Sequence, residues 1–299
     1  MKHLLGLLLI ASMILIVIGC SDNPPTQPVA HSGVDFSVPL VERPQFVETR
    51  PPEVVAQFTL KDKDIDHYVL QKKPPVEPPD DDTTSGDPNP NPAHKYAYIV
   101  GISDYEGDAN DLSYCDDDAV AMKAWLQSEG FTCRMDVDAA ADADAIIAGF
   151  QWLIDNAAPG DEVCFSYSGH GMRSTEGSAI ISADLYYIPH GYLMTYFNAI
   201  DCTKKLVCID ACVIGGFHED VMGGTYMATA SNRRYSYDAP DLNHGAWTYY
   251  WLYGTEQENL VFAEDAAPYA EDGMRAWAAL YRLKVDPIHS DSYTGDMDM

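Results

Sequence analysis

The alternation between residues 96 and 168 constrains this chain more than any other feature. Residues 96–102 (Tyr-Ala-Tyr-Ile-Val-Gly-Ile), 131–137 and 162–168 are short β-prone runs. Between the first two, Ala119, Met122, Trp125 and Leu126 recur at helical spacing within 116–129, and Gly130 follows. Between the second and third, Ile146, Ile147, Phe150, Leu153 and Ile154 share one helical face within 141–156, and Pro159-Gly160 ends it. Strand, helix, strand, helix, strand at these lengths predicts a parallel α/β sheet. The first run is continuously apolar instead of alternating, as expected of a central strand covered on both faces.

Downstream, residues 205–210 and 224–229 read as a fourth and a fifth strand. Residues 192–198, 245–253 and 268–283 read as helices, the last with Met274, Trp277, Ala278 and Tyr281 on one side. Trp247, Tyr249, Tyr250, Trp251 and Tyr253 read as a buried helix face. Residues 173–183 look like a loop with a short apolar run at Ala179-Ile180-Ile181. The domain is expected to span 94–287. Residues 288–299, bearing Asp, Ser and Met, are expected to be a flexible tail.

The first 93 residues have a different character. Lys2 is followed by the apolar run 4–18 and then Gly19-Cys20, the charge, core and small-residue layout of a secretory signal spanning 1–20. Its last four residues resemble a bacterial lipobox, which implies cleavage before Cys20 and lipid attachment to its thiol. Residues 21–93 are rich in proline, including Asp87-Pro-Asn-Pro-Asn-Pro92, and predict an extended, partly disordered tether. The working domain is therefore expected outside the cytoplasm, in the periplasm, on an outer membrane or at the cell surface. The formal net charge of −28 argues against nucleic acid as a partner.

Two strand exits carry the chemistry. Residues 165–171 (Phe-Ser-Tyr-Ser-Gly-His-Gly) deliver His170, and residues 207–216 (Val-Cys-Ile-Asp-Ala-Cys-Val-Ile-Gly-Gly) deliver Cys212. In an open parallel sheet, reactive groups collect at the carboxyl ends of strands. A thiol beside an imidazole is the minimum for nucleophilic catalysis by cysteine. Gly171 permits close approach of a substrate backbone, and its amide with that of Cys212 could serve a developing oxyanion. Asp210 shares the strand face of Cys212. It reads either as the contact for a cationic substrate side chain or as a turn cap. The remaining cysteines leave a Cys202–Cys208 or Cys115–Cys133 disulfide open. The spacing of Cys202, Cys208, Cys212 and His218 fits no common zinc pattern, so no metal site is expected.

Taken in order, 96–102, then Leu112-Ser-Tyr-Cys-Asp-Asp-Asp118-Ala, Ser168-Gly-His170-Gly171 and Asp210-Ala-Cys212-x-x-Gly-Gly216 resemble the caspase/metacaspase cysteine peptidases. Residues 227–231 and 244–248 are similar to the small-subunit part of that fold. The resemblance implies a three-layer sandwich, a mostly parallel sheet with helices on both faces. It also implies an endopeptidase in which Cys212 attacks and His170 is the acid/base. Asp118, Asp210 and Ser231 fall at substrate-binding positions, and the two acids imply cleavage after Arg or Lys in a peptide or protein. Many metacaspases are activated by calcium, but no ligand position is matched here. Val213-Ile214 departs from the family, which is polar at that point, and leaves open the alternative of a non-catalytic or degenerate caspase-like surface lipoprotein that acts as a protein-binding module.

Overall fold

A computed structural model describes residues 86–299. The signal segment, Cys20 and most of the proline-rich tether lie outside the described residues. Six strands form the main sheet in the order β11-β8-β7-β3-β1-β2. These are β1 (Lys95–Gly101), β2 (Thr132–Val137), β3 (Glu162–Ser168), β7 (Lys204–Asp210), β8 (Thr225–Thr229) and β11 (Ile288–Asp291), with β9 (Asp238–Ala239) and β10 (His244–Gly245) paired apart from that sheet. All neighbours are parallel except β11, which runs antiparallel to β8.

Helices cover both faces. Among the described residues the α-helices are α1 (Cys115–Ser128), α2 (Ala143–Asn156), α3 (His190–Asn198), α4 (Ala246–Gln257) and α5 (Ala263–Leu280). Met122 and Trp125 of α1, Trp247 and Trp251 of α4 and Trp277 of α5 pack with Ile99, Cys164 and Leu206 on one face. Ile146 and Phe150 of α2 and Leu193 and Phe197 of α3 pack with Tyr98, Phe165 and Val207 on the other. Strand residues alternate between the two cores because successive side chains point to opposite faces. This is why the central strands had to be apolar throughout. Asp142 caps α2 by accepting the Ala145 N–H at 2.7 Å.

Three expectations are corrected. Residues 173–183, read as a loop with a short apolar run, lie mostly within a small antiparallel sheet of β4 (Gly171–Ser174), β5 (Gly177–Ile181) and β6 (Tyr187–Pro189). Helix α5 begins five residues before Pro268. Burial of Ala263, Ala266 and Ala267 against the core outweighs the helical hydrogen bond that the proline removes. Finally, the residues expected to fray are docked. β11 pairs with the free edge of β8, and Met297 and Met299 are buried in the α4/α5 core. The Ala263 N–H donates to Met297 O, and the Met299 N–H donates to Val261 O. An exposed strand edge attracts a partner whatever its side chains, and a polar composition hides that.

The start of the described chain is docked as well. Asp87 pairs with Lys204 at 2.8 Å and accepts the Asp298 N–H at 3.0 Å, joining the two ends of the domain.

Candidate active site

β3 and β7 lie side by side in parallel, with Ser168 opposite Asp210. Two residues beyond that pair stand His170 and Cys212. The Gly169 N–H still donates to Asp210 O at 3.2 Å, so the chains leave the sheet together. His170 and Cys212 line one cleft, with Asp210, Ser236 and Asp238 also in its wall. Gly171 lies against the nucleophile loop. A Cβ there would sit 2.2 Å from Cys212 O, so only glycine fits.

His170 is held on three sides. Its N–H donates to the Tyr105 hydroxyl at 2.7 Å, and the Tyr167 hydroxyl donates to its carbonyl oxygen at 2.9 Å. Its Nε2 lies 2.7 Å from Asn110 O. A carbonyl can only accept, so Nε2 carries a proton and Nδ1 is left to exchange one. The Tyr105 ring lies 4.7 Å from the imidazole, centroid to centroid.

Cys212 is gripped by the chain that follows β8. The Ser236 N–H points at Sγ from 3.3 Å, and Ser236 O lies 3.6 Å from the same sulfur. An N–H donor favours the thiolate. The next residue, Val213, has a φ of 58°, in the left-handed region that a β-branched side chain rarely enters. Such a conformation costs about 1–3 kcal/mol and persists only where the surroundings enforce it. Here the Val213 N–H donates to Arg234 O, and the Gly215 N–H to Asn232 O.

Beyond the cysteine the cleft is acidic. Asp210 accepts the Ser236 hydroxyl, and from Thr248 the N–H at 3.0 Å and the hydroxyl at 2.9 Å. Burial, then the nearby Asp118, push its pKa up to about 6 despite those donors. Asp238 accepts the Ser113 N–H at 2.7 Å, and burial raises it to about 8. Asp118 is fully buried behind this wall. Its carboxylate receives the Ser168 hydroxyl, the His244 Nδ1–H at 2.8 Å and the Gly245 N–H. Burial opposes charge on His244, but that hydrogen bond and the Asp118 charge outweigh it and raise the imidazole pKa. Burial also pushes the Cys115 thiol in the cleft wall well up, so it stays protonated.

The structure thus brings His170, Gly171, Cys212 and Asp210 together, with Asp118 one layer behind. Ser231, expected to contact substrate, does not join them. It is fully buried and its hydroxyl donates to Ala211 O at 2.7 Å. The serine at the cleft is Ser236. Also missed were Asp238, Tyr105 and the Asn110 carbonyl. Asp238 carried no signal among 46 acidic residues, and a backbone carbonyl never carries one. None of the six described cysteines, Cys115 to Cys212, is in a disulfide, so neither candidate pairing forms. Cys202 turns its sulfur to Asp161 O, and His218 bonds Ser290 and Thr229. Among the described residues no cluster of three or more His, Cys, Asp or Glu is placed to hold a metal ion.

A mostly parallel, helix-covered sheet brings a cysteine and a histidine to adjacent strand ends. Residues 94–269 match the caspase domain family of peptidases, and the chain belongs to that family. It is similar to Metacaspase-1 of Scheffersomyces stipitis, 30% identical over 92 residues. That match covers 27% of this chain and 23% of the metacaspase, less than a quarter of its length. The fold is shared with protein GSU0716 from Geobacter sulfurreducens, with a TM-score of 0.53 at 16% identity. That alignment covers 69% of this chain and 97% of the other.

Proposed function

We propose that this protein is a cysteine endopeptidase that cleaves after Arg or Lys through a Cys212–His170 dyad. The observation that carries the reading is the shared cleft, with thiol, imidazole and two buried carboxyl groups in one wall. In the first step Cys212 Sγ bonds to the scissile carbonyl carbon and its proton passes to His170 Nδ1. The carbonyl oxygen becomes an oxyanion facing the Cys212 and Gly171 amides. His170 then gives the proton to the leaving amine as the peptide C–N bond breaks, leaving a thioester on Cys212. Water, deprotonated by His170, hydrolyses the thioester and restores the thiol. The Asn110 carbonyl stabilises the imidazolium by holding Nε2–H.

The substrate's cationic side chain would reach Asp210 and Asp238. Both hold protons more readily than free aspartate because their carboxyl groups are buried. An entering guanidinium or ammonium reverses that penalty, whereas an acidic side chain would add to it. Asp118 backs the pocket with its charge already paired to His244. A first experiment measures hydrolysis of short peptides ending in Arg, Lys or Asp. Arg and Lys peptides should be cut, and Cys212→Ala should abolish cleavage.

The same reading places the domain outside the cytoplasm, tethered by lipid on Cys20, with peptides or proteins and not nucleic acid as partners. Lys2, the apolar run 4–18 and Cys20 support the tether, and the charge of −28 supports the partner class. Labelling with a fatty-acid analogue should mark the full chain, and Cys20→Ser should lose the mark.

A further inference from the structure

The Asp286 carboxylate, between α5 and β11, receives three consecutive backbone N–H groups from the loop that follows β8. Asn232 and Arg234 donate to Oδ1 at 3.1 and 2.9 Å, and Arg233 to Oδ2 at 3.0 Å. The Asn232 N–H also lies 2.9 Å from the Asp286 carbonyl, and Ser231 and Asp286 form a parallel bridge. A carboxylate that closes on successive amides fixes the backbone between them. The carbonyls of that fixed stretch face the other way, toward the nucleophile. Asn232 O and Arg234 O are the acceptors that hold Gly215 and the left-handed Val213. The fit is tight, since a Cβ on Gly215 would stand 2.1 Å from Asn232 Oδ1. Two residues beyond Arg234, the Ser236 N–H reaches Cys212 Sγ.

We infer that Asp286 is a positioning residue for the nucleophile. By clamping residues 232–234 it holds Val213 in its strained conformation and keeps the Ser236 N–H aimed at Cys212 Sγ. The C-terminal segment that sequence marked as a flexible tail begins two residues after this clamp. Docking of β11 on β8 presents Asp286 to the loop, so the reactivity of Cys212 depends on a segment that contributes nothing to the cleft wall. The inference rests on Cys212 being the nucleophile, as proposed above. Besides Ser236, the titratable groups placed around the sulfur are Tyr167 within β3 and His170 past its end, Asp210 from the end of β7, Tyr237 and Asp238 from the chain after β8, and Cys115 from α1. Asp286 alters none of these side chains. It acts only through the loop backbone.

The test reads the thiol itself. The full chain is treated with iodoacetamide across pH, and alkylation of Cys212 is followed by mass spectrometry of its peptide, which separates it from the other cysteines. In Asp286→Ala the half-point of the alkylation profile should move up by about one pH unit, the effect of losing one hydrogen bond to a charged sulfur. Asp286→Asn, which keeps one acceptor oxygen and fits the same space, should move it in the same direction, and Asp286→Glu should restore part of it. Asp291→Ala loosens the same segment by removing the acceptor of the Tyr293 N–H, yet should leave the profile where it was. If Asp286→Ala does not fold, Asp286→Asn decides. A folded Asp286 variant with the wild-type profile overturns the inference. So does a shift of equal size in Asp291→Ala, which would make the clamp a matter of general stability. Because alkylation needs no peptide turnover, a shifted profile in a chain that cleaves no peptide would sink the peptidase reading and leave this one standing.

Discussion

The two strand ends that meet in the cleft are held in opposite ways. His170 stands on relaxed backbone and is fixed by tyrosine hydroxyls and one carbonyl, all from the chain between β1 and β5. Cys212 precedes a strained residue and is fixed by backbone from residues 232–236, which is itself fixed by Asp286. The imidazole is thus built into the first half of the domain as a rigid part. The thiol depends on the second half closing over it. On the proposed reading, a site assembled this way can keep His170 aligned while Cys212 is loosened or tightened.

Removing either head group is the bluntest way to break the comparison. His170→Ala and Cys212→Ala should each lower kcat/KM for an Arg peptide by about 10³-fold or more, because members of a catalytic unit fail together. Next in size is the pocket. Asp210→Asn and Asp238→Asn should each cost about 10²-fold in kcat/KM for Arg peptides. Alkylation of Cys212 would show that the thiol is still reactive, separating specificity from chemistry.

The histidine side can be probed by Tyr105→Phe, which keeps the ring and removes the acceptor of the buried His170 N–H. It should destabilise the domain by about 1–3 kcal/mol, read by urea denaturation. The cysteine side should respond in the other direction. Val213→Gly relieves the left-handed strain and should stabilise the fold by about 1 kcal/mol in the same assay. If both substitutions destabilised equally, the contrast between a relaxed and a strained strand end would be lost.

A subtler signature comes from pH. Asp210 and Asp238 have folded pKa values of about 6 and about 8, against an ordinary 3.8. A carboxyl raised on folding binds more protons in the native state than in the unfolded one. Its contribution to stability is therefore complete below the unfolded value and is lost as pH rises through the folded one. The empty domain should lose melting temperature between about pH 4 and pH 8 from this source. Agmatine, a small guanidinium ligand, should restore more of it at pH 8 than at pH 5, and the Asp238→Asn variant should show a flatter profile.

Much of this was legible in the chain because its signals are local. The apolar run at β1, the spaced helices α1 and α2, and the glycines beside His170 and Cys212 each announce themselves within ten or fifteen residues. What was hidden depends on distant partners. Ser231 and Ser236 are both serines in one polar loop, and only the fold decides that the first turns inward to Ala211 and the second faces the sulfur. Asp286 and the Asn110 carbonyl act through backbone contacts that no residue pattern encodes. The segment around β11 looked like a tail because strand pairing at a sheet edge draws on main-chain groups, which every sequence has.

The central claim is a basic-specific cysteine peptidase, and its most direct test is cleavage of fluorogenic peptides by the folded chain under reducing conditions. The account predicts hydrolysis after Arg or Lys, none after Asp, and complete loss in Cys212→Ala. Cleavage only after Asp would contradict the pocket formed by Asp210 and Asp238, and no cleavage from a folded chain with a reactive Cys212 would contradict the peptidase itself.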